Sequence, residues 1–495
     1  MRYLVTAEEM RRYDKYTIEE MGVPSMVLME RAALAAYDRI EKYRSEHPGT
    51  KMKVLIMAGT GNNGGDGLAL ARLLSEGGYT VEVWCVGEKG RASEEWSAQR
   101  KILDHYPVNF STKPAEVEYT ILIDALFGVG LSREIAGVLG DAVDTFNGLE
   151  GWKIALDLPS GIDSDTGIIR GKAVRVNETV TFGFCKRGLV LYPGCDLAGK
   201  ITTADIGITE LSFGGCEPGM YFLDEKTEEL LPVRNVCGNK GTFGKVLLIA
   251  GSFNMAGAAV LAAKAAYRIG AGMVKVITPK ENRVILQQTV PEALLGGPDD
   301  LEESLNWADV IAIGPGLGKG PDTENLLEKV LKNSKLPLLI DADGLNLLAE
   351  NPGLRKLAAY EGSRGRSMVL TPHVGELARL LQKKISEVKE NLSDCGSELA
   401  MELQAVVAAK DARTFICGAG KPVCVNLSGN SGLATAGSGD VLAGMIAGLM
   451  AQGMEAYRAA CVGTCIHGRA GDRVSAKIGE HACMAGDLIC TWGED

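Results

Sequence analysis

Residues 53–87 read KVLIMAGTGNNGGDGLALARLLSEGGYTVEVWCVG. The apolar run 53–58 has the length of a buried strand, the glycines of 59–67 break it, LALARLLSEGG has helical period, and TVEVWCVG is a second strand. Strand, glycine loop, helix, strand signals a parallel sheet. Two later runs continue the pattern, TILIDALFG (120–128) and KIALDLPSG (153–161), each closing on an acidic residue and turn residues. That puts Asp124 and Asp157 at the carboxyl edge of the sheet, where open α/β folds bind ligands. Upstream, Thr6 with Glu9 forms a capping-box pattern that opens a helix to about Glu20, and a second helix starts near Ser25 after Gly22-Val23-Pro24.

Gly59, Gly61 and Gly64 satisfy GxGxxG, and Glu82 follows eighteen residues after Gly64, at the end of the next strand in this reading. Taken alone this suggests a dinucleotide turn and a dehydrogenase. Asn62, Asn63 and Asp66 depart from that pattern by crowding polar oxygens into the turn. Oxygens converging from several strand ends suit a hard monovalent or divalent cation, and two carboxylates at one edge suit proton transfer at carbon.

The second half repeats the α/β alternation. KVLLIAGS (245–252), MVKVITP, ADVIAIGPGLG (308–318), LPLLIDADGLNLLA (336–349) and SMVLTPHVGELARLL (367–381) supply strands and helices, and RTFICGAGKPVCVN has the pattern of a hairpin. Residues 434–450, ATAGSGDVLAGMIAGLM, then join a glycine turn directly to an apolar helix. The first turn of a helix leaves N–H groups without partners, so Gly437, Ser438 and Gly439 offer an anion site, and Asp440 stands where it can take a proton from a hydroxyl attacking a phosphate. The alternative is that Asp440 only caps the helix. No GxxxxGK[ST] occurs, so a nucleotide here is not held by a P-loop; a late glycine turn with an aspartate heading a helix is the ribokinase arrangement.

His373 after a strand reads as a substrate contact, not a proton carrier; Glu376 as a position for magnesium or a residue that complements the helix dipole; Asp341 and Asp343 as structural, with Asp343 a cap. The 495 residues suffice for two domains, and 46% hydrophobic residues allow large cores. A net charge of −11 argues against nucleic acid or an acidic membrane as the main partner. The twelve cysteines contain no CxxC pair, and Cys461 and Cys465 lie four apart on one apolar helix, which reads as reduced core cysteines. With no apolar leader at the N-terminus and no uninterrupted membrane-length segment, a cytoplasmic protein is expected.

GTGNNGGDG (59–67), LIDALFGVGLSRE (122–134) and LDLPSGIDSDTG (156–167), in that order and spacing, closely resemble the NAD(P)H-hydrate epimerases. The resemblance covers about the first 220 residues and implies a Rossmann-like, doubly wound domain over 1–222 that interconverts the C6 epimers of hydrated NADH and NADPH. It implies that Asn62, Asn63, Gly64, Gly65 and Asp66, with Gly128, Val129, Gly130, Leu131, Ser132, Arg133 and Glu134, line the substrate site. It further implies that Asn63, Asp124 and Ser160 contact K+ and that Asp157 is the acid/base.

NKGTFGKVLLIAGS, GPGLG, DADGLN, TPHVGE and ATAGSGDVLAG similarly resemble the ADP-dependent NAD(P)H-hydrate dehydratases over 230–495. This implies a ribokinase-like α/β domain that phosphorylates the C6 hydroxyl of the S epimer and then eliminates phosphate. Ala258, Gly316, His373 and Asp440 are implied to contact the hydrated dinucleotide, with Asp440 as base; Lys410, Asp411, Ala412, Arg413, Thr414 and Gly439 to hold the adenylate of the donor. ADP as phosphoryl donor and Mg2+ complete the expectation, with small molecules as the only partners of a homo-oligomer. Asn239 stands where the family usually has His, and Asp411 where it usually has Gly. The competing readings are a ribokinase-like kinase of a small alcohol fused to a nucleotide-binding sensor domain, and the dehydrogenase.

Overall fold

The computed structural model describes residues 1–87, 92–131 and 133–491. The chain divides into two compact units, Tyr3–Gly219 and Met220 onward, the latter joined by Met1 and Arg2.

In the first unit a seven-stranded parallel sheet runs, in spatial order, Asn109–Ser111, Thr80–Cys85, Lys53–Ala58, Ile121–Ala125, Trp152–Leu156, Glu178–Phe182 and Lys200–Ala204. Neighbouring residues of each strand serve opposite faces: Val54, Ile56, Ile121 and Ile123 enter one apolar cluster, Leu55, Met57 and Leu122 another. The sheet order reverses between Lys53–Ala58 and Ile121–Ala125, and such a reversal opens a ligand crevice at the carboxyl ends. The helix Ala7–Glu19 opens with the capping box: Thr6 Oγ1 accepts from Glu9 N–H and Glu9 Oε2 from Thr6 N–H. The helix Ser25–Glu46 follows.

The glycine loop is shorter than the sequence reading gave it. Helix Asn62–Glu76 begins at Asn62, so NNGGD forms its first turn and a half. Close approach of the turn to itself dictates the glycines: a Cβ on Gly64 would lie 2.0 Å from the Gly59 carbonyl oxygen, and one on Gly59 2.2 Å from that of Leu126. Glu82 requires a correction. It sits mid-strand, buried, accepting from Tyr119 Oη at 2.6 Å and Ser111 Oγ at 2.8 Å, so it is no ribose-binding acid at a strand end.

The second unit's sheet runs Leu294–Gly296, Met273–Ile277, Lys245–Ile249, Val310–Ile313, Leu338–Ile340, Met368–Leu370 and Val406–Ala409, all parallel. Thr414–Gly418 and Val423–Asn426 then add antiparallel strands, the hairpin of the sequence reading. Met220–Phe222, placed by that reading at the end of the first domain, pairs in parallel with Val423–Asn426 and so belongs to the second unit. The order reverses between Lys245–Ile249 and Val310–Ile313. The buried helix Ser438–Ala451 packs against Ala256–Arg268, and Cys461 and Cys465 are buried in Ala456–Ile478. No helix among the described residues is long and apolar enough to cross a membrane.

Candidate functional site

The crevice of the first unit is a cavity of about 990 Å³. Asn62, Asn63, Asp66, Gly128, Val129, Gly130, Arg133 and Asp157 all line it, drawn from three separate motifs. Gly64 and Gly65 are buried behind it. The structure does not bring Leu131 or Glu134 to the wall: Leu131 packs on the apolar cluster of the sheet's other face, and Glu134 is exposed. Ser132 lies outside the described residues.

Asp157 takes φ 67°, a left-handed conformation that an aspartate adopts at a cost, held by its N–H donating to Val180 O at 2.7 Å. It caps no helix. Its Oδ1 accepts from the ammonium of Lys186, which is 1% exposed and also donates to Thr181 Oγ1 at 3.0 Å and Phe182 O at 2.8 Å. All three ammonium protons are thereby used. The sequence reading missed Lys186, 29 residues from its partner on a two-residue strand, Cys185–Lys186. That strand is fixed by Arg2–Val5, through the pairs Leu4–Cys185 and Val5–Lys186.

More carboxyl groups face this pair. Burial, and then the charges of Asp157 and Asp14, hold the Asp66 carboxyl well above the usual range, against the pull of Lys186. Asp14 is raised by burial and by Glu95.

Beneath the wall, Asp124 is buried and accepts from Ser160 N–H and Oγ–H, each at 2.7 Å, and from Leu126 N–H at 3.1 Å. Burial pushes its carboxyl up to about 6. Both polar atoms of the Asn63 amide are buried without a partner. A Cβ on Gly128 would stand 2.9 Å from Asp157 Oδ2 and 3.5 Å from Asn63 Cγ, so the bare glycine keeps the space between them open. The orphaned Asn63 amide oxygen, the buried Asp124 carboxylate and the Ser160 hydroxyl are oxygen donors of the type that a hard monovalent cation takes.

In the second unit Gly437 takes φ 90°, and helix Ser438–Ala451 starts immediately after it. Asp440 occupies the first turn, half-buried, its carboxyl pushed up to about 6 by burial and by Asp341, against Lys410. Lys410 Nζ donates to Asp341 Oδ1 at 3.2 Å and would lie 3.4 Å from a Cβ on Gly439. Buried Asp341 also accepts from Thr371 Oγ1 at 2.6 Å. The structure thus brings Gly439, Asp440 and Lys410 to one corner. Asp411 and Ala412 are exposed in the turn that follows, Arg413 donates to Leu427 O at 3.1 Å, and Thr414 is buried at the strand start.

His373 pairs its backbone with Lys410 and heads helix Val374–Leu381, its Nδ1 accepting from Gly375 N–H at 2.9 Å. Burial and Lys410 lower its imidazole below the usual value, which suits a neutral hydrogen-bonding group. Glu376 Oε2 accepts from His373 N–H at 2.8 Å, closing a capping box, and burial pushes its carboxyl up to about 7. Asp343 is not the cap it was expected to be: it is the first residue of its helix and accepts from Gly318 N–H at 2.8 Å, fixing the turn that carries Gly316. A Cβ on Gly316 would lie 2.8 Å from the Ala258 methyl, so these two residues adjoin. His467, not singled out from sequence, lies under the glycine turn with Nε2 3.0 Å from Ser438 O, and burial pushes it down to about 4. Among the described residues no three His, Cys, Asp or Glu side chains form a metal cluster.

Comparison with known proteins covers both sites. A family described as NAD(P)H-hydrate dehydratase matches residues 246–492, and one described as YjeF-related protein N-terminus matches 25–188. The bifunctional NAD(P)H-hydrate repair enzyme Nnr of Moorella thermoacetica is 37% identical over 98% of this chain and 95% of its own length. The chain belongs to the bifunctional NAD(P)H-hydrate repair enzyme family. The repair enzyme of Coxiella burnetii is 36% identical, over 99% of this chain and 98% of its own. A Bacillus subtilis ADP/ATP-dependent NAD(P)H-hydrate dehydratase, co-crystallised with ATP and Mg2+, is 28% identical over 55% of this chain and 95% of its own, with a TM-score of 0.49. In this repair-enzyme family member the first matched segment contains Asn63, Asp66, Asp157 and Lys186, and the second Asp341, Lys410 and Asp440.

Proposed function

We propose that the first unit epimerises hydrated NADH and NADPH at C6 and that the second dehydrates the S epimer with ADP. What carries this reading is kinship over nearly the whole chain with enzymes that join the two activities, because it takes in both carboxylates, Asp157 and Asp440.

In the first reaction the ring nitrogen's lone pair helps expel the C6 hydroxyl, leaving a planar iminium that water re-enters from either face. Asp157, aimed into the cavity across from Gly128, handles the proton. Carboxylates around the ring favour the cation that forms. Asn63, Asp124 and Ser160 would hold K+, whose charge would offset that of an anionic dinucleotide.

In the second reaction Asp440 takes the proton of the C6 hydroxyl as the hydroxyl oxygen attacks the terminal phosphorus of ADP, whose bond to the bridging oxygen breaks to release AMP. The N–H groups of the 437–440 turn and the Lys410 ammonium face the negative charge of the transferring phosphoryl group. Mg2+ would travel with the donor's phosphates and neutralise part of their charge. Breaking the C6–O bond then releases phosphate and leaves the iminium, and loss of a proton from C5 restores the dihydronicotinamide. Ala258, Gly316 and His373 are assigned to the dinucleotide, and the 410–414 turn with Gly439 to the donor.

The test is to mix the protein with hydrated NADPH, Mg2+ and either ADP or ATP and to follow the return of dihydronicotinamide absorbance. Recovery with ADP that is lost in Asp440→Asn supports the assignment; no recovery with either nucleotide contradicts it.

A further inference from the structure

Expelling a hydroxyl needs a proton donor, whereas Asp157 is an ion-paired carboxylate, one oxygen tied to a buried ammonium with no proton to spare. Asp66 lines the same cavity from the first turn of helix Asn62–Glu76. Asp14 comes to it from helix Ala7–Glu19, Glu95 from Glu94–Leu103 and Asp157 from the end of Trp152–Leu156. Arg11, Arg133 and Lys186 are the cations of the wall, and Lys186 is spent on Asp157. Four carboxyl groups in one partly dry space cannot all ionise cheaply, and burial together with the charges of Asp157 and Asp14 raises Asp66 toward its protonated form. The cavity is built to receive a ligand: Asn63, 9% exposed, turns an unpartnered amide into it.

Resting on the epimerase reading, we propose that Asp66 is the catalytic acid that protonates the departing C6 hydroxyl, with Asp157 as the base for the water that returns. The proton on Asp66 passes to the hydroxyl, the C6–O bond breaks with its electron pair on oxygen, and water leaves. The ring nitrogen's lone pair becomes the second bond of the iminium. When water adds to C6, its surplus proton goes to Asp157 and returns to Asp66 through water, so the cycle closes with no net change except configuration.

The experiment follows conversion of purified R epimer to S by chromatography, using the full-length chain with the uncatalysed rate subtracted. Asp66→Asn, which keeps the cavity's shape, is expected to lower kcat about 10²–10⁴-fold with KM changed only a few-fold, and Asp66→Glu to regain part of the loss. Wild-type kcat should fall toward alkaline pH as Asp66 gives up its proton, a limb missing from Asp66→Asn. Wild-type kcat in both Asp66 variants, with Asp157→Asn inactive, overturns the proposal. Full rates in Asp66→Asn and Asp157→Asn alike overturn the epimerase reading beneath it.

Discussion

Both sites lie at a reversal of strand order and both carry an aspartate assigned to proton transfer, yet their charges are opposite. The first unit surrounds its cavity with Asp14, Asp66, Glu95 and Asp157 and pairs one of them with buried Lys186. The second presents the N–H groups of a glycine-opened helix and the ammonium of Lys410 beside Asp440. The difference fits the proposed chemistry: loss of the protonated C6 hydroxyl creates a cationic ring, which carboxylates favour, whereas phosphoryl transfer concentrates negative charge, which N–H dipoles favour. Fold position says where a site is, and the sign of its charge says which kind of transition state it can serve.

The sharpest way to break this contrast is to exchange the defects. Asp440→Asn should lower dehydration of purified S epimer by about 10²–10⁴-fold and leave epimerisation intact, and Asp157→Asn the reverse. Steady-state assays of each reaction on each variant check this; any variant that impairs both reactions equally denies that the sites are separate. Next, Lys186→Met strands the Asp157 charge in the wall and should destabilise the first unit by about 3–5 kcal/mol. Calorimetry should then show one early transition, with that of the second unit unmoved.

Gly439→Ala places a methyl 3.4 Å from Lys410 Nζ, in the space assigned to the donor's phosphates. A rise in the donor KM on the order of tenfold, about 1.4 kcal/mol, is expected, with epimerisation unaffected. The smallest effect is on pH. Asp440 must be ionised to act as base, so dehydration should rise as pH climbs through about 6 and then level off. Epimerisation by the Asp66 acid should decline toward alkaline pH instead, and rate profiles measured on one sample compare the two limbs directly.

Much of the fold was legible because strand, turn and helix periods are local signals. The starts of Ser25–Glu46 and Val374–Leu381, and the hairpin around 414–426, follow from a few neighbouring residues. The sites were legible where motif residues sit at strand ends, as Asp124 and Asp157 do. What escaped depends on pairings that sequence distance hides. Lys186 reaches Asp157 only because Arg2–Val5 positions its short strand, and Glu82 matches a dinucleotide fingerprint by spacing while its carboxylate is taken up by Tyr119 and Ser111. Asp343 has the composition of a cap, but the adjacent 314–318 turn claims its carboxylate. His467 lies 29 residues from Ser438 on another helix, so nothing near it in the sequence marks its role.

The most direct test mixes both epimers of hydrated NADPH with the full-length chain, ADP and Mg2+, and records the recovery of dihydronicotinamide absorbance for wild type and Asp157→Asn side by side. Two sites of opposite charge serving one substrate predict complete recovery in the wild type, and in the variant a fast phase limited to the S fraction followed by only the slow uncatalysed drift. A variant that recovers the full amplitude at the wild-type rate, or a wild type that halts at the S fraction, contradicts it.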